Sequence, residues 1–89
     1  MLIAVICTDK PGALETRLAN RDAHVAYLKE TGAVQAGPFL NDKGEMYGSL
    51  VVLDMDSVDD AHAWAANDPY AKAGLFADVR IEEWKRVIG

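Results

Sequence analysis

Cysteine is nearly absent from this chain of 89 residues: Cys7 stands alone. No internal disulfide can form, so packing must hold the fold, and a paired-cysteine zinc site is excluded. Long apolar runs are missing too, and none approaches the roughly 18 residues that a membrane span requires. Basic residues are few and scattered, nine against 14 acidic ones, and the net charge is −5. Nucleic-acid binders present a basic face, which this composition does not supply. Neither a glycine-rich phosphate loop nor a nucleophile elbow is present. The apolar opening Met1-Leu2-Ile3-Ala4-Val5-Ile6 has no basic start and reads as a strand, not a signal segment. With the lone cysteine, it leads to the expectation of a reducing, cytoplasmic setting.

What the chain does have is apolar side chains, 51 % of its residues, which argues for a folded domain over disorder. Leu2 to Thr8 is rich in aliphatic and β-branched residues and is predicted to be a central strand. Asp9-Lys10-Pro11-Gly12 is a turn cluster. Ala13 to Thr31 is predicted to be a long helix, with Leu14, Leu18, Val25 and Leu28 as its buried stripe and Gly32 past its end. Ala33 to Leu40 reads as a second strand, and Gly37-Pro38 within it implies an edge, a bulge or a bend. Asn41-Asp42-Lys43-Gly44 signals a hairpin before a third strand from Glu45 to Met55. There Gly48 is a thin spot where another group can approach closely.

Ser57 is a good N-cap for a second helix whose apolar face is Val58, Ala61, Trp64 and Ala65. Asp68-Pro69-Tyr70 turns a corner into a short helical turn, and Phe76 to Val87 reads as a last strand. The order strand, helix, strand, strand, helix, strand is the split βαβ arrangement of ferredoxin-like folds. It predicts one α+β domain over residues 1–89, with a four-stranded antiparallel sheet and both helices on one face. A domain this short buries little surface alone. The bare sheet face is expected to be covered by a second copy, giving a homodimeric α+β barrel.

Two residues invite a chemical reading. Asp68 sits where a carboxylate caps the next helical turn, and capping alone justifies an aspartate there. A carboxylate at such a corner can also orient a catalytic group, and one side chain can do both. The candidate partner is His24, on the long helix, which can take and return a proton near neutral pH. Arg17 and Arg21 share its helical stripe, and Arg21 is the candidate to hold an anionic substrate through its planar fork. Ser49 on the third strand and the Gly37-Pro38 backbone are candidate pocket-wall residues. Tyr70 either bonds a substrate oxygen or packs at the dimer contact, with packing favoured. His62 reads as solvated or packed on the second helix. Cys7 reads as a small core residue, and Trp64 and Trp84 as core or interface anchors. His24 and Asp68 are too few ligands for a metal, so neither a metal nor an organic cofactor is expected.

An ordered set of fragments goes further. Leu14-Glu15-Thr16-Arg17-Leu18, Arg21-Asp22-Ala23-His24-Val25-Ala26-Tyr27-Leu28, Ala36-Gly37-Pro38, Gly48-Ser49, Ala63-Trp64-Ala65, Asp68-Pro69-Tyr70 and Ala73-Gly74 together resemble the YciI, or YCII-related domain, family. The closing Trp84-Lys85-Arg86-Val87 is similar to the family's basic end. The resemblance implies a ferredoxin-like subunit in a dimeric α+β barrel. It also implies an active site with one histidine and one aspartate, which by motif position fall on His24 and Asp68. The hairpin between Phe39 and Tyr47 is short beside the loop common in the family. The expectation is a small-molecule enzyme with His24 as base and acid and Asp68 orienting it. Lyase, isomerase or dehydrohalogenase chemistry on a small anionic or cyclic substrate suits such a pair. The alternative is a non-catalytic ligand-binding or accessory dimer. A closed pocket with the two side chains in hydrogen-bond reach separates the first reading from the second.

Overall fold

The computed structural model describes residues 1–89. Seven elements follow in order: β1 (Leu2–Asp9), α1 (Leu14–Glu30), β2 (Gln35–Leu40), β3 (Met46–Asp54), α2 (Val58–Asn67), α3 (Pro69–Lys72) and β4 (Phe76–Trp84). The four strands form one antiparallel sheet in the order β2-β3-β1-β4. The α+β, ferredoxin-like topology predicted from the strand and helix order is therefore present. β2 lies at an edge, where the N–H that Pro38 lacks is not needed for the ladder.

Alternation along the strands sends Ile3, Val5 and Cys7 of β1 and Val51 and Leu53 of β3 to the helical side. They pack there against Ala61 and Trp64 of α2. Fully burying an aliphatic side chain contributes about 1.5–3 kcal/mol, so this cluster is the main glue of the subunit. A hydrogen-bonded clasp fixes the two long helices. The Tyr27 hydroxyl donates to the Trp64 carbonyl oxygen (2.8 Å), and Trp64 Nε1–H donates to Thr31 Oγ1 (2.8 Å). Thr31 Oγ1 in turn donates to the Tyr27 carbonyl oxygen (2.7 Å). The clasp sets the register between α1, which carries His24, and α2, which ends at Asp68.

Three expectations need correction. Leu18 is 54 % exposed, and Leu14, Val25 and Leu28 are only half-buried. The residues that α1 buries are Arg17 and His24. They lie seven apart, two full turns, so they share one face, and that face points at the sheet. Leu28 does pack against the core, as does Tyr27, but hydrophobic spacing misplaced the rest of the stripe because the inward face also carries Arg17 and His24. The second correction is Asp9, which continues β1 across a register shift at Thr8/Asp9 instead of opening the turn. The third is β4, which stops at Trp84, leaving Val87 and Ile88 almost fully exposed.

Gly48 is the close-approach point the sequence suggested. A Cβ there would run into the Cys7 carbonyl oxygen and sit 3.2 Å from the Phe39 ring. Backbone cannot yield as a side-chain tip does. Gly48→Ala is therefore expected to destabilise the fold by about 1–3 kcal/mol, read from urea denaturation midpoints.

Candidate active site

Asp68 is the hinge of the site. It follows α2, and its side chain caps α3: Oδ1 accepts from the Tyr70 backbone N–H at 3.0 Å. The same oxygen lies 2.8 Å from His24 Nδ1. One atom thus caps α3 and bonds the His24 ring. An ionised carboxylate only accepts, so Nδ1 carries the proton and the lone pair is left on Nε2. Nε2 has no partner within the chain and is not sealed from solvent. His24 lines a cavity of about 120 Å³ between α1, α3 and the β2–β3 edge.

The cavity gathers the other candidates. Gly37, Pro38, Ser49, Tyr70 and Arg21 all line it. Tyr70 is buried within the subunit, with its ring stacked on the His24 imidazole (centroids 3.9 Å apart, planes at 15°). Its edge meets Phe76 at 6.0 Å. Burial pushes the Tyr70 hydroxyl pKa up, although the nearby Arg17 and Arg21 charges oppose the rise. The hydroxyl therefore stays protonated at neutral pH and is available as a donor. Arg21 is exposed at the rim and makes no ion pair.

Sequence reasoning gave no site role to Arg17, which is as deeply buried as Asp68. Arg17 donates from Nε to Asp9 Oδ2 (2.7 Å) and from Nη2 to Asp9 Oδ1 (2.9 Å), a two-pronged ion pair. Nη2 also donates to Ser49 Oγ at 2.8 Å. The two charged side chains are only 3 % and 5 % exposed. Burial works against the guanidinium charge, but bonding to Asp9 outweighs it and holds the Arg17 pKa above its ordinary value. The guanidinium carbon also sits 4.7 Å from the Tyr70 ring centroid, within cation–π range. The signal that finds Arg17 is its spacing of seven from His24. Asp9 carried none, since Asp-Lys-Pro-Gly has turn composition.

Cys7 pairs with Ser49 in the sheet and is buried beneath the site. Burial pushes its thiol up from 9.0 to about 12, the Asp68 charge adding to the rise. It therefore holds its proton and serves as core, as the sequence suggested. A folded-state pKa above the unfolded value stabilises fully below the unfolded pKa and is lost as pH rises towards the folded one. Stability is accordingly expected to fall as pH climbs from 9.0 towards about 12. Urea midpoints of the wild type and Cys7→Ala across that alkaline range measure it, with the decline shallower in the variant.

His62 is exposed on α2 and lines no cavity. A wider cavity of about 240 Å³ lies beyond Asp9, between the β1–α1 turn and the β2–β3 hairpin, and holds no histidine. No three His, Cys, Asp or Glu side chains gather as a metal site.

With this geometry in place, known proteins supply a frame. The YCII-related domain model matches residues 1–85. The chain belongs to the YCII-related domain family. Protein YciI of Escherichia coli O6:H1 is 37 % identical over 97 residues, covering 98 % of this chain and 99 % of its own length. A Haemophilus influenzae protein is 36 % identical over the same extent. The 97 aligned positions against 89 residues here mean that these relatives carry at least eight residues that this YCII-related domain lacks. Among solved structures, the 5-chloro-2-hydroxyhydroquinone dehydrochlorinase TftG from Burkholderia phenoliruptrix AC1100, in complex with 2,5-dihydroxybenzoquinone, is similar at a TM-score of 0.87. It is 38 % identical, covering 96 % of this chain and 94 % of the other.

Proposed function

We propose that this YCII-related domain is a small-molecule lyase of the dehydrohalogenase type, with His24 as its proton acceptor and donor. The observation that carries the proposal is the 2.8 Å bond from His24 Nδ1 to the buried Asp68, with Nε2 left free at a cavity. Asp68 holds the ring in one tautomer and stabilises the imidazolium once it forms. Similarity to a dehydrochlorinase at 38 % identity supports elimination over other proton-transfer chemistry. In the step itself, Nε2 takes a proton from the substrate. The electron pair of that bond becomes a new π bond through the ring, and the halide leaves with its own bonding pair. The imidazolium then releases its proton to solvent, so the net loss is one hydrogen halide. No net electrons move, and the chemistry calls for no redox partner.

The substrate class is a small cyclic molecule bearing acidic hydroxyls. The exposed, unpaired Arg21 at the rim favours an anionic form. Halide release from chlorinated hydroxyhydroquinones by the purified protein tests this. Turnover above the uncatalysed rate is expected. Saturable binding of 2,5-dihydroxybenzoquinone with no halide release from any such compound would replace the enzyme by a ligand-binding module.

The working unit we propose is a homodimer joined through the open sheet faces. That face carries Ile6, Leu50 and Val52 at its centre, and Leu50 and Trp84 are both exposed in the single subunit. Sedimentation is expected to give about twice the 9.7 kDa chain mass. Leu50→Asp would put a charge in the middle of the contact and should return the monomer. A monomeric wild type would refute the pairing.

A further inference from the structure

The start of β3 is irregular. β2 and β3 pair Phe39 with Gly48 and then Leu40 with Met46, so Tyr47 is passed over. Strict alternation would put Met46 on the open face of the sheet with Gly48 and Leu50, and only Tyr47 on the helical side. The extra residue is a β-bulge, and bulges re-aim side chains. Here two consecutive side chains, Met46 and Tyr47, line the same cavity, the wider one of about 240 Å³ beside the β1–α1 turn. Met46 also lines the His24 cavity, and no other residue lines both. The Asp9–Arg17 pair completes the partition, with Asp9 on one side and Arg17 on the other. That pair is locked by its two bonds. Met46 is half-buried, unbranched and free to change rotamer, so it is the yielding part of the wall.

Volume gives the partition its consequence. An apolar cavity of about 150 Å³ accommodates a bare benzene ring. The His24 cavity, at about 120 Å³, is smaller, so a substituted ring held there extends out of it. The space across Met46 is twice as large and offers Ala13, Leu14 and Tyr47 as apolar wall. Beyond the paired Asp9, its charged side chains are Lys10 and Glu45, opposite in sign and both exposed, so it favours no net charge. We propose that Met46 is a movable divider and the wider cavity a second subsite, which takes an uncharged aromatic substituent of a ring held at His24. Met46 is thereby the residue that sets how long a substrate the site accepts. The ring's place at His24 rests on the elimination proposed above; occupation of the second subsite needs no turnover.

The test is a titration of the wild-type protein with phenol and, separately, with 4-phenylphenol, following backbone ¹H–¹⁵N signals by NMR. Both probes are expected to shift Gly37 and Ser49 in the His24 cavity, and only 4-phenylphenol to shift Gly12 and Ala13 across the divider. Burying the second ring should make 4-phenylphenol bind about tenfold or more tighter. Two variants fill the wider cavity from different sides. Met46→Trp closes the divider, and Leu14→Trp fills the space from α1 without touching the His24 cavity, which Leu14 does not line. Each should reduce 4-phenylphenol to the affinity of phenol, and Leu14→Trp should leave phenol binding unchanged. Equal affinity of the wild type for the two probes, no shift at Gly12 and Ala13, or a gain that survives in Leu14→Trp would overturn the subsite. Failure of the wild type to bind either probe would overturn it too. None of these readouts uses turnover, so halide release judges the enzyme reading separately: a protein that releases no halide yet binds the longer probe across Met46 keeps the subsite and loses only the chemistry.

Discussion

In His24→Ala, halide release is expected to fall by about 10²–10⁴-fold, the usual worth of a positioned acid–base group, while the subunit stays folded. The fold should survive because the substitution removes only the imidazole's single bond and its stacking on Tyr70. Asp68 keeps its Tyr70 N–H partner, so α3 remains capped. Asp68 variants then separate two effects. Both bonds converge on Oδ1, so the asparagine carbonyl of Asp68→Asn can accept both and the tautomer is preserved. Only the charge that stabilises the imidazolium is lost. Asp68→Ala loses tautomer control as well, and uncaps α3 at about 1 kcal/mol. The expected order of turnover is wild type, Asp68→Asn, then Asp68→Ala close to His24→Ala. Steady-state rates beside circular dichroism of each variant decide it. Undiminished turnover in His24→Ala would remove histidine chemistry from the site.

The order of elements was readable because each segment announced itself by period and punctuation. β1 announced itself as a continuous run of aliphatic and β-branched residues, and Pro38 marked an edge that β2 does occupy. The His24–Asp68 contact spans 44 residues and came from motif resemblance, since no local pattern links the two. The rotation of α1 was misread for a physical reason. Apolar periodicity assumes that the inward face is apolar, yet this helix turns Arg17 and His24 inward. Their burial is tolerable only because partners arrive from distant strands and corners: Asp9 and Ser49 for Arg17, Asp68 for His24. A single sequence does not reveal those partners before the sheet is assembled. Leu18, by contrast, looked like core and points away from it.

Arg17→Met is expected to cost about 3–5 kcal/mol of stability, a large share of the roughly 5–15 kcal/mol that holds a domain together. The loss comes less from what Arg17 contributes than from what it leaves behind. Asp9 is 5 % exposed, and without Arg17 its carboxylate would be buried with no charge partner. Asp9→Asn strands the guanidinium in the same way. The double variant Asp9→Asn/Arg17→Met removes both charges, and replacing a buried pair as a unit is often neutral. Urea denaturation of the four proteins therefore should show strong coupling, with the double variant more stable than either single one. Additive losses would mean that water reaches Asp9 and relieves its isolation. The same thermodynamics explains why a costly buried pair sits beside the cavity. Methionine in place of Arg17 could fill the space, but it could not place a charge beside Ser49 and the Tyr70 ring. The arrangement trades stability for a fixed positive charge in the wall of the cavity that His24 also lines.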